Sequence, residues 1–209
     1  MDQPARRLPN GAAALFIGAA MDYFDSKKNV EDYVRMADGY DGRELVDRLP
    51  SWLPDGATVL ELGMGPGKDL DMLLERYRAT GSDASQVFVD RYLEARPDAD
   101  VLLLDAVSLD TDRRFDCVYS NKVLHHLTRD GMRASLARQL ELLHDGGLAL
   151  HTLWRGEGEQ EMHGLRFVYY SVDEARAAAP DGFEVVEAGV YAEMEKDDSI
   201  RLVLRKSAT

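Results

Sequence analysis

The most constraining feature of the chain is a short apolar run that ends in three glycines at alternate positions. Residues 59–67 read Val-Leu-Glu-Leu-Gly-Met-Gly-Pro-Gly, and apolar residues at helical spacing follow from Leu70 to Tyr77. This pattern predicts a buried strand, a glycine turn and the N-terminus of a helix. Glycines let the backbone pass close to a ligand, and a helix N-terminus offers unpaired N–H groups. The sequence therefore predicts a cradle for a ligand that carries an anionic group and a ribose.

Two acidic residues sharpen the interpretation of this loop. Glu61 lies two residues before the first glycine, inside the end of the predicted strand. Asp83 lies 22 residues after Glu61, where a second strand should end. A carboxylate at that place can accept hydrogen bonds from two ribose hydroxyls. The glycine spacing is G-x-G-x-G and not the G-x-G-x-x-G of a dinucleotide fold, which disfavours a nicotinamide oxidoreductase.

The combination resembles the class I S-adenosylmethionine-dependent methyltransferases. Their first motif, acid-x-G-x-G-x-G, is matched by Glu61, Gly63, Gly65 and Gly67, and the acid that ends their next strand is matched by Asp83. The resemblance covers roughly residues 30–206 and implies S-adenosyl-L-methionine as the cofactor. It also implies a Rossmann-like α/β fold. The expected sheet has seven mostly parallel strands and an antiparallel last strand, with helices on both faces.

The rest of the chain alternates between strand and helix patterns, which independently predicts a largely parallel sheet. Two capping boxes, Asp41 with Glu44 and Ser171 with Glu174, predict helix starts. Residues 183–190 and 200–205 are expected to form a closing hairpin. The expected division is an N-terminal tail or lid over residues 1–28 and one methyltransferase domain over 29–209, with N-terminal helices at 29–54 and the core at 58–206.

The resemblance assigns further residues to the cofactor. Ala84 directly follows the ribose acid, and Val87 lies one helical turn on, where it could cover the adenine. Asp105 and Ala106 follow the third predicted strand, where the family holds the adenine amine, and Asn121 would sit beside the methionyl end. Each acid also has a plainer interpretation: Glu61 as a solvent-facing strand end, and Asp83 and Asp105 as turn residues.

The segment after the fourth predicted strand reads Ser-Asn-Lys-Val-Leu-His-His-Leu over residues 120–127. It resembles a motif that many small-molecule members carry with a histidine pair. We predict His125 and His126 as the catalytic candidates, one as a general base near neutral pH and the other as a structural cap. The Asn/Asp-Pro-Pro-aromatic motif of base amino-group methylators does not occur here. No acid and histidine spacing predicts a metal site.

Aromatic residues are concentrated between the fifth predicted strand and the Ser171 helix. Loops above the carboxyl edge of an open α/β sheet bind ligands, and this mixture suits a small, partly apolar substrate with an anionic group. The alternative is that residues 167–170 are an edge segment that packs on the core. The predicted substrate-binding residues are Tyr33, from the N-terminal helices, and Trp154, His163, Arg166, Tyr169 and Tyr170.

Composition limits the partners. A net charge of −13 argues against a phosphate backbone as the main partner, so we expect a small-molecule substrate and no nucleic acid. The lone Cys117 rules out an internal disulfide framework and fits a reducing cytoplasm. Residues 11–20 loosely mimic a signal peptide but are short and rich in glycine and alanine, so we expect neither export nor a membrane partner.

The function predicted from the sequence is methyl transfer to a small-molecule acceptor in the cytoplasm. Two alternatives stay open: a methyltransferase that acts on protein or RNA, and a non-catalytic module that binds S-adenosylmethionine. A basic groove would favour the first alternative, and the acidic composition does not supply one.

Overall fold

The computed structural model describes residues 23–162 and 164–208. Nine strands lie in this part of the chain: β1 Thr58–Leu62, β2 Arg78–Asp83, β3 Val101–Leu103, β4 Phe115–Asn121, β5 Leu143–Trp154, β6 Glu159–Met162, β7 Leu165–Val168, β8 Phe183–Tyr191 and β9 Ser199–Lys206. Seven of them form one sheet in the order β3-β2-β1-β4-β5-β9-β8. Strands β1 to β5 are mutually parallel, and β9 runs antiparallel to both of its neighbours. The predicted fold class is confirmed.

Six helices accompany the strands in the described part of the chain: α1 Lys27–Met36, α2 Arg43–Arg48, α3 Lys68–Leu73, α4 Gln86–Ala95, α5 Arg129–Leu142 and α6 Val172–Ala177. Two short 3₁₀ turns cover Leu49–Ser51 and Leu124–His126. No helix of the described residues has the length and apolar character needed to span a bilayer.

One predicted capping box is confirmed and the other is wrong. Ser171 and Glu174 exchange both capping hydrogen bonds at the start of α6. Helix α2 instead begins after Gly42, and the Asp41 carboxylate accepts only from the Arg43 N–H. The Gly42 N–H donates to Asp69 Oδ1 at 2.8 Å, so a distant carboxylate satisfies the backbone here and no local box is needed.

Apolar layers cover both faces of the sheet, as parallel strands require. One layer joins Leu60 and Val118 to the apolar face of α5. The other joins Val59 and Cys117 to α2, α3 and α4. Burial raises the pKa of the Cys117 thiol to about 12, so this cysteine is an inert core residue.

The β6–β7 hairpin was not expected from the sequence. Its first strand is exposed along its whole length and carries no apolar alternation, so periodicity gave no signal. From the sequence we expected the fifth strand over residues 148–153, but β5 begins at Leu143. Leu74, expected on the buried face of the helix after the glycine turn, is exposed and forms the C-cap of α3.

A buried chain of polar side chains joins β4, β5 and α5. The ring nitrogens of His151 lie 2.8 Å from Ser120 Oγ and 2.8 Å from Gln139 Oε1. Gln139 Nε2 donates to Ser135 Oγ at 3.0 Å. Since an amide oxygen can only accept, His151 Nε2 carries the proton and the Ser120 hydroxyl donates to Nδ1. Burial lowers the pKa of His151 to about 3.

We expect this histidine to make the protein sensitive to acid. Below about pH 6.5 the unfolded chain binds a proton on residue 151 that the folded chain excludes, so the free energy of unfolding falls toward the folded pKa of about 3. At pH 5 the loss should be about 2 kcal/mol. Urea unfolding at pH 5 and pH 7.5, compared between the wild type and His151→Gln, measures this contribution, because burial also lowers the pKa values of His125 and His126. His151→Gln should lose less stability on acidification than the wild type, and equal losses would place the acid sensitivity elsewhere.

The strand order also determines where a ligand site can form. From β1 the chain adds β2 and β3 on one side of the sheet and then returns to add β4 and β5 on the other side. The direction of strand addition therefore reverses between β1 and β4. Crevices in open α/β sheets lie at the carboxyl ends of the strands beside such a reversal.

Candidate functional site

A cavity of about 550 Å³ lies at the carboxyl ends of β1, β2 and β4. The structure brings most of the predicted cofactor residues to its surface, together with part of the predicted catalytic and substrate set. Residues from the predictions that line the cavity are Tyr33, Gly63, Gly65, Asp83, Ala84, Asp105, Ala106, Asn121, His126 and Arg166. Those that do not are Glu61, Gly67, His125, Trp154, Tyr169 and Tyr170. His163 lies outside the described residues.

The three glycines of the loop have different neighbours. All three have positive φ angles, 64° at Gly63, 50° at Gly65 and 83° at Gly67. At Gly65 an added Cβ would meet little besides Tyr33, whose nearest ring carbon is 3.9 Å away. At Gly67 it would collide with the Tyr92 ring. Gly65 therefore faces the cavity, whereas Gly67 allows α3 and α4 to pack closely.

Asp83 ties the end of β2 to the glycine loop. Its Oδ2 accepts from the Gly65 N–H and its Oδ1 from the Ser85 N–H, each at 2.9 Å. Burial raises the pKa of this carboxyl, and the backbone donors oppose that rise. Each oxygen keeps a further acceptor site for a ligand hydroxyl.

Asp105 forms the turn after β3. Its Oδ1 accepts from the Val107 N–H at 3.0 Å and from the Ser108 N–H at 2.8 Å. The turn interpretation of this residue and its place at the cavity are therefore compatible, because the turn itself forms one side of the cavity.

Aromatic residues close the cavity above the glycine loop. Phe88 lines the cavity, whereas Val87, which we expected over the adenine, does not. The Phe24 ring lies 5.5 Å and the Tyr33 ring 5.9 Å from the Phe88 ring. Burial raises the pKa of Tyr33, and the Asp83 carboxylate adds to the rise. Tyr33 thus lies beside the loop and Asp83, which favours a contact with the cofactor over the substrate contact that we predicted.

Glu61 lies behind the loop and not on the cavity surface. It is 3% exposed, and its Oε2 has no hydrogen-bond partner. Burial raises its pKa well above the usual value, and the neighbouring Asp69 and Asp83 add to the rise. Glu61 is therefore not the solvent-facing strand-end acid that was the alternative.

Asp69 is a site residue that the sequence analysis missed. Its carboxylate accepts from the Tyr119 hydroxyl at 2.7 Å and from Asn121 Nδ2 at 3.1 Å, in addition to the Gly42 N–H. This network fixes the amide of Asn121 at the cavity. An acid in the first turn of a helix is common because it interacts favourably with the helix dipole, so the sequence alone carried no signal of this role.

The two adjacent histidines differ sharply. His126 lines the cavity, and its Nδ1 lies 2.7 Å from the Arg166 carbonyl oxygen. A carbonyl can only accept, so Nδ1 carries the proton and Nε2 of the neutral ring has a free lone pair. Burial lowers the pKa of His126, which keeps the ring neutral. His126 can therefore act as a proton acceptor.

His125 is 1% exposed, and neither ring nitrogen has a hydrogen-bond partner. Burial lowers its pKa well below the usual value, and His126 and Lys122 add to the effect. The ring stacks on Phe167 with centroids 5.4 Å apart. Its position favours a packing role beneath the β6–β7 hairpin.

Of the described substrate candidates beyond β5, only Arg166 reaches the cavity. Tyr170 is 2% exposed and belongs to the apolar core. The Tyr169 hydroxyl accepts from the Gln160 amide on the hairpin, and Trp154 packs on the amine of Lys122. The alternative that residues 167–170 pack as structural elements therefore fits Tyr169 and Tyr170 better than substrate binding does.

Comparisons with known proteins agree with this geometry. A family model described as "Methyltransferase domain" matches residues 59–147, the stretch from β1 to the start of β5. Trans-aconitate 2-methyltransferases of Azoarcus sp. (strain BH72) and Variovorax paradoxus (strain S110) are 30% identical over 102 residues and 34% identical over 86 residues. These matches cover 46% and 39% of this chain but only 40% and 32% of the relatives. The chain thus spans less than half the length of the curated relatives it matches.

The fold comparison covers more of the chain. The structure of Burkholderia thailandensis 1,6-didemethyltoxoflavin-N1-methyltransferase, with bound 1,6-didemethyltoxoflavin and S-adenosylhomocysteine, matches with a TM-score of 0.70 at 22% identity. The match covers 100% of this chain and 94% of that one, and at this identity it establishes the fold. Residues 59–147, which contain the glycine loop, thus match a methyltransferase domain, and the whole chain shares its fold with this methyltransferase, in agreement with the resemblance found in the sequence.

Proposed function

We propose that the protein transfers the methyl group of S-adenosylmethionine to a small-molecule acceptor. The observation that carries the proposal is a single cavity that is lined both by Gly65, Asp83 and Asp105 and by His126 and Arg166. The first group has the chemistry to hold a nucleoside, and the second has the chemistry to hold and deprotonate an acceptor.

When bound, S-adenosylmethionine supplies a methyl group that an acceptor atom can take by in-line attack on the methyl carbon, with the thioether sulfur as the leaving group. Asp83 would accept hydrogen bonds from the ribose hydroxyls, and Asn121 would orient the amino-acid end. His126 Nε2 would take the proton of an acceptor that is protonated at working pH. The partly enclosed cavity would hold the acceptor in position and exclude water.

Arg166 supports an acceptor with an anionic group. Arg166 lines the cavity, and its guanidinium lies 3.4 Å from Glu159 Oε2. Both curated relatives are named for a small carboxylate, trans-aconitate, which supports the same class of acceptor for this chain. Arginine pairs with carboxylates and phosphates in a planar, bidentate geometry.

The two alternative functions, methyl transfer to protein or RNA and cofactor binding without catalysis, would require different features of the site. A protein or RNA methyltransferase would need a surface that attracts a large substrate, and the net charge of −13 disfavours RNA. A non-catalytic module would keep the cofactor residues without an accessible base, whereas His126 lies at the cavity with a free lone pair. We also propose a cytoplasmic location, which rests on the reduced, buried Cys117.

A ligand panel tests the cofactor class. We expect S-adenosylhomocysteine to raise the melting temperature and NAD, NADP and ATP to leave it unchanged, because the glycine loop and Asp83 match the first ligand. At a ligand concentration a hundredfold above the dissociation constant, the stabilisation should be about 2.7 kcal/mol. A shift with NAD and none with S-adenosylhomocysteine would refute the proposal. Incubation with labelled S-adenosylmethionine and small carboxylic acids then tests transfer itself.

A further inference from the structure

Lys122 adopts a backbone conformation that is rare for a residue with a side chain. Its φ of 57° lies in the left-handed region, where a Cβ is unfavourable. Its N–H donates to Thr152 Oγ1 at 3.0 Å, and the Thr152 hydroxyl donates to Asn121 Oδ1 at 2.6 Å. Such conformations persist only where contacts with the surrounding structure stabilise them, so Lys122 needs strong contacts to keep this backbone conformation.

The side chain supplies these contacts. The amine donates to the Leu153 carbonyl at 3.2 Å and to Ser199 Oγ at 2.6 Å. It lies 3.3 Å from Glu193 Oε2 and 3.6 Å from the centroid of the Trp154 ring. The side chain is only 13% exposed. Each of the three ammonium protons therefore has an acceptor, and the charge also rests on an aromatic face.

The bend between β8 and β9 is itself firmly held. Asp198 accepts from the backbone N–H groups of Glu193, Met194 and Glu195 at 2.9–3.0 Å, and from the Ser199 hydroxyl at 2.9 Å. Partial burial raises the pKa of Asp198, but these donors outweigh it and bring the pKa to about 2. The bend therefore presents Glu193 and Ser199 to the lysine in a fixed arrangement.

The 121–126 turn, to which Lys122 belongs, reaches the cavity. Val123, the next residue, packs so closely on the glycine loop that a Cβ at Gly63 would lie 2.7 Å from its Cγ2. Asn121, Val123 and His126 line the cavity, and so does Lys122 itself. A shift of the 121–126 turn would therefore displace the loop, the amide and the imidazole together.

We infer that Lys122 is a positioning residue, whose ammonium group ties the 121–126 turn to the β8–β9 bend and so holds Asn121 and His126 in place at the cavity. The inference rests on the proposed function, because the groups that it positions are the proposed cofactor and acid–base groups. It assigns a role in the site to a bend on the far side of β5, which contributes no residue to the cavity.

The first test compares Lys122→Met with Lys196→Met. Both variants remove a lysine and keep an unbranched side chain, but Lys196 is an exposed residue of the same bend. Lys122→Met should bind S-adenosylhomocysteine about tenfold more weakly at pH 7, the factor expected for losing a hydrogen bond to a charged group. Turnover should fall further, since misplacement by about 1 Å can cost a hundredfold. Lys196→Met should match the wild type in both measurements.

The pH dependence separates the charge from the rest of the side chain. Burial lowers the pKa of Lys122 to about 8, against the opposing effects of Glu193 and Asp198. Burial keeps His125 neutral, and burial together with Glu193 raises the pKa of Tyr191, so both hold their protonation state from pH 7 to pH 9. The advantage of the wild type over Lys122→Met should therefore shrink toward one by pH 9. The advantage is measured as the ratio of the two affinities at each pH. Because ionisation of the ligand affects both proteins equally, it does not change this ratio.

An NMR measurement of the protein without any ligand distinguishes failure of this inference from failure of the proposed function. The amide NMR signals of residues 121–126 should move in Lys122→Met and stay in Lys196→Met. Glu193→Gln, which keeps Lys122, should move the same signals by a smaller amount and serves if Lys122→Met does not fold. Unmoved signals, or a loss of affinity that is equal at pH 7 and pH 9, would overturn the positioning role. Moved signals in a protein that binds no S-adenosylhomocysteine would refute the cofactor proposal alone.

Discussion

Asp83→Ala should weaken S-adenosylhomocysteine binding about tenfold to a hundredfold in a protein that still folds. Hydrogen bonds to a charged group contribute roughly 1.5–3 kcal/mol, which corresponds to that range of affinity. The substitution removes the proposed acceptors of the ribose hydroxyls. It also frees the Gly65 N–H, which now donates to Asp83 Oδ2 at 2.9 Å, so the glycine loop should lose order as well. Isothermal titration calorimetry measures the affinity directly.

Two further variants separate these effects. Asp83→Asn keeps one acceptor oxygen and should bind with intermediate affinity. Asp98→Ala removes an exposed acid between α4 and β3 and should bind like the wild type. If folded Asp83→Ala binds with unchanged affinity, Asp83 is a turn residue whose contacts to Gly65 and Ser85 serve the fold alone.

The fold could be predicted from the sequence because local signals and the sheet pattern agree. Strand β1 is buried on both faces, and its apolar run leads directly into glycines that adopt positive φ angles. Helix α4 extends over residues 86–95, with Ser85 as its N-cap. The hairpin of β8 and β9 is also confirmed, to within one residue at each end. At each of these places propensity, capping and hydrophobic pattern point to the same structure.

The parts that could not be predicted depend on distant contacts. Asp69 and Lys122 look like ordinary charged residues in the sequence, and their partners lie between 27 and 77 positions away along the chain. The exposed polar strand β6 has no periodicity that would identify it. Adjacent residues His125 and His126 could not be distinguished either, because a short 3₁₀ turn decides which ring enters the cavity. Such outcomes depend on tertiary packing, which spacing does not encode.

Arg166→Ala should reduce kcat/KM for an anionic acceptor about thirtyfold while leaving the affinity for S-adenosylhomocysteine nearly intact. Truncating one partner of a charge pair costs roughly 2–5 kcal/mol, and the lower end applies because the side chain is 36% exposed. The substitution is selective, since the hydrogen bond to His126 uses the Arg166 backbone carbonyl and survives the loss of the guanidinium. Methylation assays on small carboxylic and phosphate-bearing compounds, with cofactor titration in parallel, measure both quantities.

Neighbouring residues provide the controls for the arginine. Arg176 is an exposed arginine of α6 and does not line the cavity, so Arg176→Ala should retain activity. Glu159 is the carboxylate that now faces Arg166, so Glu159→Gln should bind an anionic acceptor at least as tightly as the wild type does. If Arg166→Ala instead loses cofactor affinity and turnover by the same factor, the guanidinium supports the cofactor or the hairpin. The acceptor would then need no anionic group, and the aromatic residues around the cavity would have to account for its recognition.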